Sequence, residues 1–115
     1  MSTINQGDIW WINPTPKIGS EQRGKRPALI IQNDIANTYL KTTIVAIISG
    51  SGAVNMPEIV PLGPEEGLSE GSSADFSQLF TIDKQRLVKK AGNISSEKWR
   101  LVEQALARIF LRTMK

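Results

Sequence analysis

Thr42-Thr43-Ile44-Val45-Ala46-Ile47-Ile48 decides the fold. Six of its seven residues are β-branched. Such side chains lose χ1 freedom in a helix and pack well on a pleated surface, so the run reads as a central strand. Upstream, polar Asn33 to Lys41 reads as a turn or a short helical connection, and Ala28 to Gln32 as a second strand. Ile9 to Ile12, rich in Trp and Ile, reads as the first strand. Between them Asn13 to Gly19 holds two prolines and a glycine, which starts a loop that runs on to Lys25. Pro27 fixes its own φ and pushes Arg26 towards an extended conformation. Downstream, Ser49 to Asn55 is a small-residue loop. Glu58 to Leu62 is a short strand that Pro57 and Pro61 place at a sheet edge. Gly63 to Gly71 is a Pro/Gly/Glu loop, Ser73 to Leu79 another strand, Thr81 to Leu87 a short amphipathic piece, and Val88 to Ile94 a returning strand.

The C-terminal segment is the one long helix. Ser95 or Ser96 can cap it, and Glu97 favours the positive end of its dipole. Trp99, Val102, Leu106, Ile109 and Phe110 recur on one face, and no Pro or Gly interrupts Ser96 to Arg112. This stripe is expected to pack on the sheet. Several short strands followed by one helix give a mainly β fold, a compact antiparallel barrel-like sheet capped by a helix. With 115 residues and no repeat, low-complexity tract or linker, residues 1–115 read as one domain.

Composition narrows the chemistry. There is no cysteine, so no disulfide framework and no thiolate site, which allows a reducing cytoplasm. There is no histidine either. Common zinc sites, Ser-His-Asp triads and paired-histidine ribonuclease chemistry are therefore excluded. Catalysis has to use carboxylates, Arg, Lys, Tyr, hydroxyls or the substrate's own groups. No apolar run approaches the ~20 residues of a membrane span, and Met1 to Gly7 lacks the features of a signal peptide.

The net charge of +3 hides a strong pattern. Thr42 to Asp83 carries six acids and no Lys or Arg, while the rest carries fourteen cations against five acids. Cations cluster at Lys17, Arg23, Lys25 and Arg26, and again at Lys84, Arg86, Lys89 and Lys90. Such clusters suit a polyphosphate partner or form a solvated surface. Arg26 ends the basic loop at the mouth of a strand, and its planar fork can bind two phosphate oxygens. Glu21 lies five residues earlier in the same loop. It can accept a proton, hold Arg26 in place, or simply be solvated. Trp10 and Trp11 are adjacent and so face opposite sides of a strand. One belongs to the core, and the other is free to anchor a partner. Tyr39 and Phe80 are candidates for stacking on splayed bases, and Phe80 is equally a candidate for the core.

Gly7-Asp8-Ile9-Trp10, Gly19-Ser20-Glu21-Gln22 and Arg26-Pro27-Ala28-Leu29-Ile30-Ile31 together resemble the MazF/PemK toxin family. Gln32-Asn33-Asp34, Thr43-Ile44-Val45-Ala46 and Thr81-Ile82-Asp83-Lys84-Gln85-Arg86-Leu87 add to the resemblance, which spans Gly7 to about Leu111. It implies a curled SH3-like antiparallel sheet with a C-terminal helix, like that of the MazF and CcdB toxins, assembled as a homodimer. It implies metal-independent, cofactor-free cleavage of single-stranded RNA at a short sequence, leaving a 2′,3′-cyclic phosphate and a 5′-hydroxyl. The 2′-hydroxyl of the RNA is then the nucleophile, which agrees with a chain lacking His and Cys. The matching arginine, Arg26, is catalytic in that family, and Ser49 stands where many members carry threonine. Gly19, Ser20, Gln22, Lys17, Lys25, Ser77 and Gln78 are the expected RNA contacts.

The chain departs from the family in one region. Many relatives read acid-Gln-x-Arg-Thr-Ile-Asp where this one reads Ser77-Gln78-Leu79-Phe80-Thr81-Ile82-Asp83. Serine replaces the acid and phenylalanine the base, with Asp75 two places earlier. The implied partner is a MazE-like antitoxin with an acidic, apolar C-terminal tail, and the implied location is the cytoplasm. A CcdB-like toxin that blocks a protein target and a non-catalytic SH3-like binding module are the competing readings.

Overall fold

The computed structural model describes residues 3–13, 25–50 and 56–112. Six strands form one sheet: β1 (Asp8–Ile12), β2 (Arg26–Ile30), β3 (Thr42–Ser49), β4 (Ile59–Leu62), β5 (Ser72–Asp83) and β6 (Leu87–Asn93). Helix α1 (Asp34–Tyr39) joins β2 to β3, and α2 (Trp99–Phe110) follows β6. The order across the sheet is β4-β5-β3-β2-β1-β6, and every pairing is antiparallel. The β-branched run is thus an interior strand, as its composition predicts. β4, with Pro61, is at one edge and β6 at the other. Among the described residues no hydrogen-bonded ladder joins those two edges, so the sheet is not closed into the expected barrel.

Alternation along the strands makes two cores. One face, with Ile9, Leu29, Ala46, Ile48, Val60, Ala74 and Phe76, packs against Ile94 and against Val102 and Ala105 of α2. Each large apolar side chain buried there contributes about 1.5–3 kcal/mol. The other face buries Trp10, Ile12, Ala28, Ile30, Val45 and Ile82, with Ile4 and Leu87 packed at their margin. This second cluster draws on five strands and the N-terminal segment and on neither helix, so the curl of the sheet is what buries it. Of the tryptophan pair, Trp10 is core and Trp11 is half-buried.

Several motifs prove to be structural. Gly7 has φ +94°, and a Cβ there would stand 2.7 Å from Trp99 Cζ2. The buried Asp8 carboxylate accepts from Asn5 N–H (3.0 Å) and Trp10 Nε1 (3.3 Å) and pairs with Lys90 (3.2 Å). Asn33 caps α1 through the Ala36 N–H (2.9 Å). Asn37 Oδ1 accepts from both Gln32 Nε2 and Thr43 Oγ1 (2.8 Å each), so these buried polar groups satisfy one another.

Four local expectations need correction. β2 starts at Arg26, two residues earlier than its apolar run. Thr81 to Asp83 is not a separate piece but the end of a twelve-residue β5, followed by a 3-10 turn at Lys84–Arg86. The C-terminal helix opens with a 3-10 turn at Ser96–Lys98, and neither Ser95 nor the α2 N-cap Lys98 makes a side-chain cap bond. On α2 the buried residues are Val102 and Ala105, with Trp99 and Leu106 partly covered. Ile109 (38% exposed) and Phe110 (65%) overrun the sheet they were expected to pack on. Lys98 Nζ on Pro61 O (2.6 Å) and Arg108 on Glu58 (3.4 Å) tie α2 to β4 and its approach.

Candidate functional site

The candidate site lies where β2 begins and β3 ends. β1 and β2 pair through Ile12↔Arg26 and Trp11↔Pro27, which fixes Arg26 in the extended form that Pro27 favours. On its other side β2 pairs with β3 through Ala28↔Ile47, Leu29↔Ala46 and Ile30↔Val45. This ladder stops next to Pro27, which has no N–H to donate. The same register carried two residues further sets Arg26 across from Ser49. Opposite residues of an antiparallel pair share a face, with Cβ atoms roughly 5 Å apart. A guanidinium and a hydroxyl therefore face one mouth at this end of the sheet. Arg26 and its neighbour Lys25 are exposed, and Ser49 is half-buried. Ser49 also pairs with Ser73 of β5, a buried residue whose neighbour across β4 is Pro61.

Ser77 and Gln78 come to the same end of the sheet through a break in β5. Ala46 pairs with Leu79, but Ile48 pairs with Ala74. Four residues, Asp75 to Gln78, thus lie against one residue, Ile47, and bulge out. Such bulges re-aim side chains. Ser77 and Gln78 are exposed there, two residues along from Ser49 on the neighbouring strand. Phe80, opposite Val45 and therefore on the Arg26 face, is 48% exposed.

Of the residues singled out in the sequence, Arg26, Lys25, Ser49, Ser77 and Gln78 thus share one end of the sheet. Lys17, Gly19, Ser20, Glu21 and Gln22 lie outside the described residues. Tyr39 is 81% exposed but sits on α1, beyond the Thr42 end of β3. Seven residue steps of strand, about 23 Å, separate that end from Ser49. Tyr39 is not part of this site.

Sequence reasoning gave no role to Arg86. Its Nε (3.0 Å) and Nη2 (2.8 Å) both donate to the Asn13 carbonyl, and Asn13 N–H donates back to Arg86 O (2.9 Å). Arg86 thereby clamps the end of β1 from which the basic loop departs. The T-I-D-K-Q-R segment signalled this position, but only the fold shows its partner.

A cleft of about 500 Å3 opens nearer α1, lined by Thr3, Ile4, Trp10, Thr38, Lys84 and Val88 among others. Its cation, Lys84, already donates to the Asn37 carbonyl. It is mostly apolar, and its Thr38 hydroxyl is engaged as well, donating to the Asp34 carbonyl (2.9 Å). Among the described residues no cluster of three or more His, Cys, Asp or Glu is placed to hold a metal ion, and no helix is long and apolar enough to cross a membrane.

Comparison with known proteins agrees with this fold. Residues 5–110 match the family described as PemK-like, MazF-like toxin of type II toxin-antitoxin system. Endoribonuclease EndoA of Bacillus subtilis (strain 168) is 37% identical over 105 residues, covering 90% of each chain. Two solved assemblies share the fold at lower identity. MazE-MazF (Form-II) from Deinococcus radiodurans aligns at a TM-score of 0.82 and 21% identity, covering 98% of this chain and 100% of that one. An endoribonuclease in complex with its cognate antitoxin from Mycobacterial species aligns at 0.79 and 18% identity, covering 96% and 99%. A mainly β toxin fold of six antiparallel strands and a C-terminal helix is thus defined. The chain belongs to the PemK/MazF family of type II toxin–antitoxin toxins.

Proposed function

We propose that this chain is the endoribonuclease toxin of its toxin–antitoxin pair, cutting single-stranded RNA at a short sequence without a metal ion. The observation that supports the reading is the β2–β3 register, which, carried two residues beyond Ala28↔Ile47, sets Arg26 across from Ser49. The relationship to EndoA supports the reaction class. RNA supplies the nucleophile: its 2′-hydroxyl attacks the adjacent phosphorus, the 5′-oxygen leaves, and a cyclic phosphate and a 5′-hydroxyl result. The protein then has to align the ribose phosphate, take up the 2′-proton and stabilise charge on the phosphoryl oxygens. An arginine side chain stays charged in proteins. Arg26 therefore serves as the charge stabiliser, its fork spanning two phosphate oxygens. The Ser49 hydroxyl binds the same phosphate, and Glu21 is the proton acceptor. Lys25, Lys17, Gly19, Ser20 and Gln22 hold the RNA backbone, with Ser77 and Gln78 on the bases. Phe80 is a stacking platform for a splayed base.

The active form is a homodimer of single-domain chains in the cytoplasm, where mRNA is exposed. Its partner is a MazE-like antitoxin whose acidic, apolar tail covers the basic groove. The test is incubation with a varied pool of single-stranded RNA in excess EDTA, beside Arg26→Ala. Wild-type cleavage with a loss of several orders of magnitude in the variant is the expected result. No cleavage by the wild type across the pool returns the protein-blocking and binding-module readings.

A further inference from the structure

The bulge of β5 holds a bonded set of side chains that the family motif does not describe. Asp75 Oδ1 accepts from the Ser77 backbone N–H (2.9 Å) and from Ser77 Oγ (2.6 Å). Its other oxygen, Oδ2, accepts from Gln78 Nε2 (3.3 Å). Backbone pairing with Ile59 of β4 fixes Asp75, while Ser77 and Gln78 project into solvent. Asp75 thus holds a carboxylate against both Ser77 and Gln78.

The bonding has a chemical consequence. A carboxylate without a proton only accepts, so it selects the NH2 end of the Gln78 amide over the carbonyl end. One N–H is used and the amide cannot turn over without losing that bond. The second N–H and Oε1 remain, facing outward in a set order. A donor and acceptor in fixed order match a base edge that shows acceptor and donor in the complementary order, which is how a bidentate amide reads a base. Single-stranded RNA offers such edges because its bases are unstacked and splayed. The distance suits a neighbouring nucleotide: β5 and β2 are separated only by β3, two strand spacings or roughly 10 Å.

We propose that Asp75 is a specificity-determining positioning residue. It acts through Ser77 and Gln78 to fix the amide that reads one unpaired base beside the scissile phosphate. The proposal rests on the endoribonuclease reading of the same site.

The test compares wild type, Asp75→Ala and the double variant Asp75→Ala/Ser77→Asp on an RNA pool with a randomised window, sequencing the cut ends. Asp75→Ala is expected to relax preference at one nucleotide position by roughly tenfold or more. Total cleavage summed over all sites falls less than that. The double variant, which moves the carboxylate to position 77, restores the preference. A uniform loss at every position, accompanied by a lower melting temperature and no rescue, overturns the proposal and leaves Asp75 a structural residue. The same three backgrounds carrying Arg26→Ala are then used to select RNA by binding. Selection at that position without any wild-type cleavage sinks the nuclease reading and keeps Asp75. Cleavage with an unchanged site profile does the reverse.

Discussion

Gly92 in β6 and the turn at Pro64–Glu66 touch backbone to backbone. A Cβ on Gly92 would stand 2.3 Å from the Glu66 carbonyl oxygen and 3.0 Å from its carbon. These atoms do not yield easily. The turn is held by Glu66 N–H on Gly63 O (2.9 Å), Gly67 N–H on Pro64 O (3.0 Å) and Gly63 N–H on the buried Glu66 carboxylate (2.8 Å). Gly92 itself pairs with Ile9 of the core. Gly92→Ala has to push the turn from the sheet by roughly 1 Å, and overpacking of this kind costs about 2–3 kcal/mol. At about 4 °C per kcal/mol for a chain of this length, the melting temperature falls by roughly 8–12 °C. Two controls separate the causes. Gly63→Ala has open space and an extended φ of −166°, so it is expected to be neutral or to stabilise by about 0.4–1 kcal/mol. Gly71→Ala has open space but φ +82°, so it isolates backbone strain of about 1 kcal/mol. Thermal unfolding followed by circular dichroism reads all three. A Gly92→Ala protein melting within ~2 °C of wild type, or a Gly63→Ala protein falling as far as Gly92→Ala, refutes the close-contact reasoning.

Phe80→Ala is expected to weaken single-stranded RNA binding by roughly 5- to 100-fold, the range of one lost stacking contact, with Tm nearly unchanged because the ring is half exposed. Tyr39→Ala, at the far end of β3, should leave affinity as it is; equal losses from both variants, measured by fluorescence anisotropy, contradict the placement of the site. Affinity should also fall with salt. Lys25 and Arg26 alone, each neutralising one phosphate, give a log–log slope of at least about −1.4, and a flat response argues against this surface as the RNA contact.

Legibility in the sequence followed the range of the interaction. The central strand announced itself because β-branching is a local property of Thr42 to Ile48, and Pro61 marked an edge because a missing donor is equally local. Arg26 stood out through Pro27, its next neighbour. The placement of Arg26 across from Ser49 did not, since a register relating residues over twenty positions apart leaves no local trace. β5 was read as two pieces because Thr81 to Leu87 joins the end of the strand to the 3-10 turn at Lys84–Arg86, which hides its alternation. Ile109 and Phe110 fit the apolar stripe of α2 yet lie past the sheet, because periodicity gives a direction and not the extent of the surface below. The change from acid to Ser77 was visible, whereas the direction of the Asp75 bonds came only with the fold.

The chemistry of the cut ends reports which group attacks the phosphorus. An RNA cleaved in excess EDTA is analysed by mass spectrometry, beside the same oligonucleotide carrying 2′-deoxyribose just before the cut. If the RNA attacks itself under the hold of Arg26, the upstream fragment ends in a 2′,3′-cyclic phosphate, the downstream one begins with a 5′-hydroxyl, and the deoxy substrate stays whole. A cleaved deoxy substrate, or a 3′-hydroxyl facing a 5′-phosphate, contradicts the account.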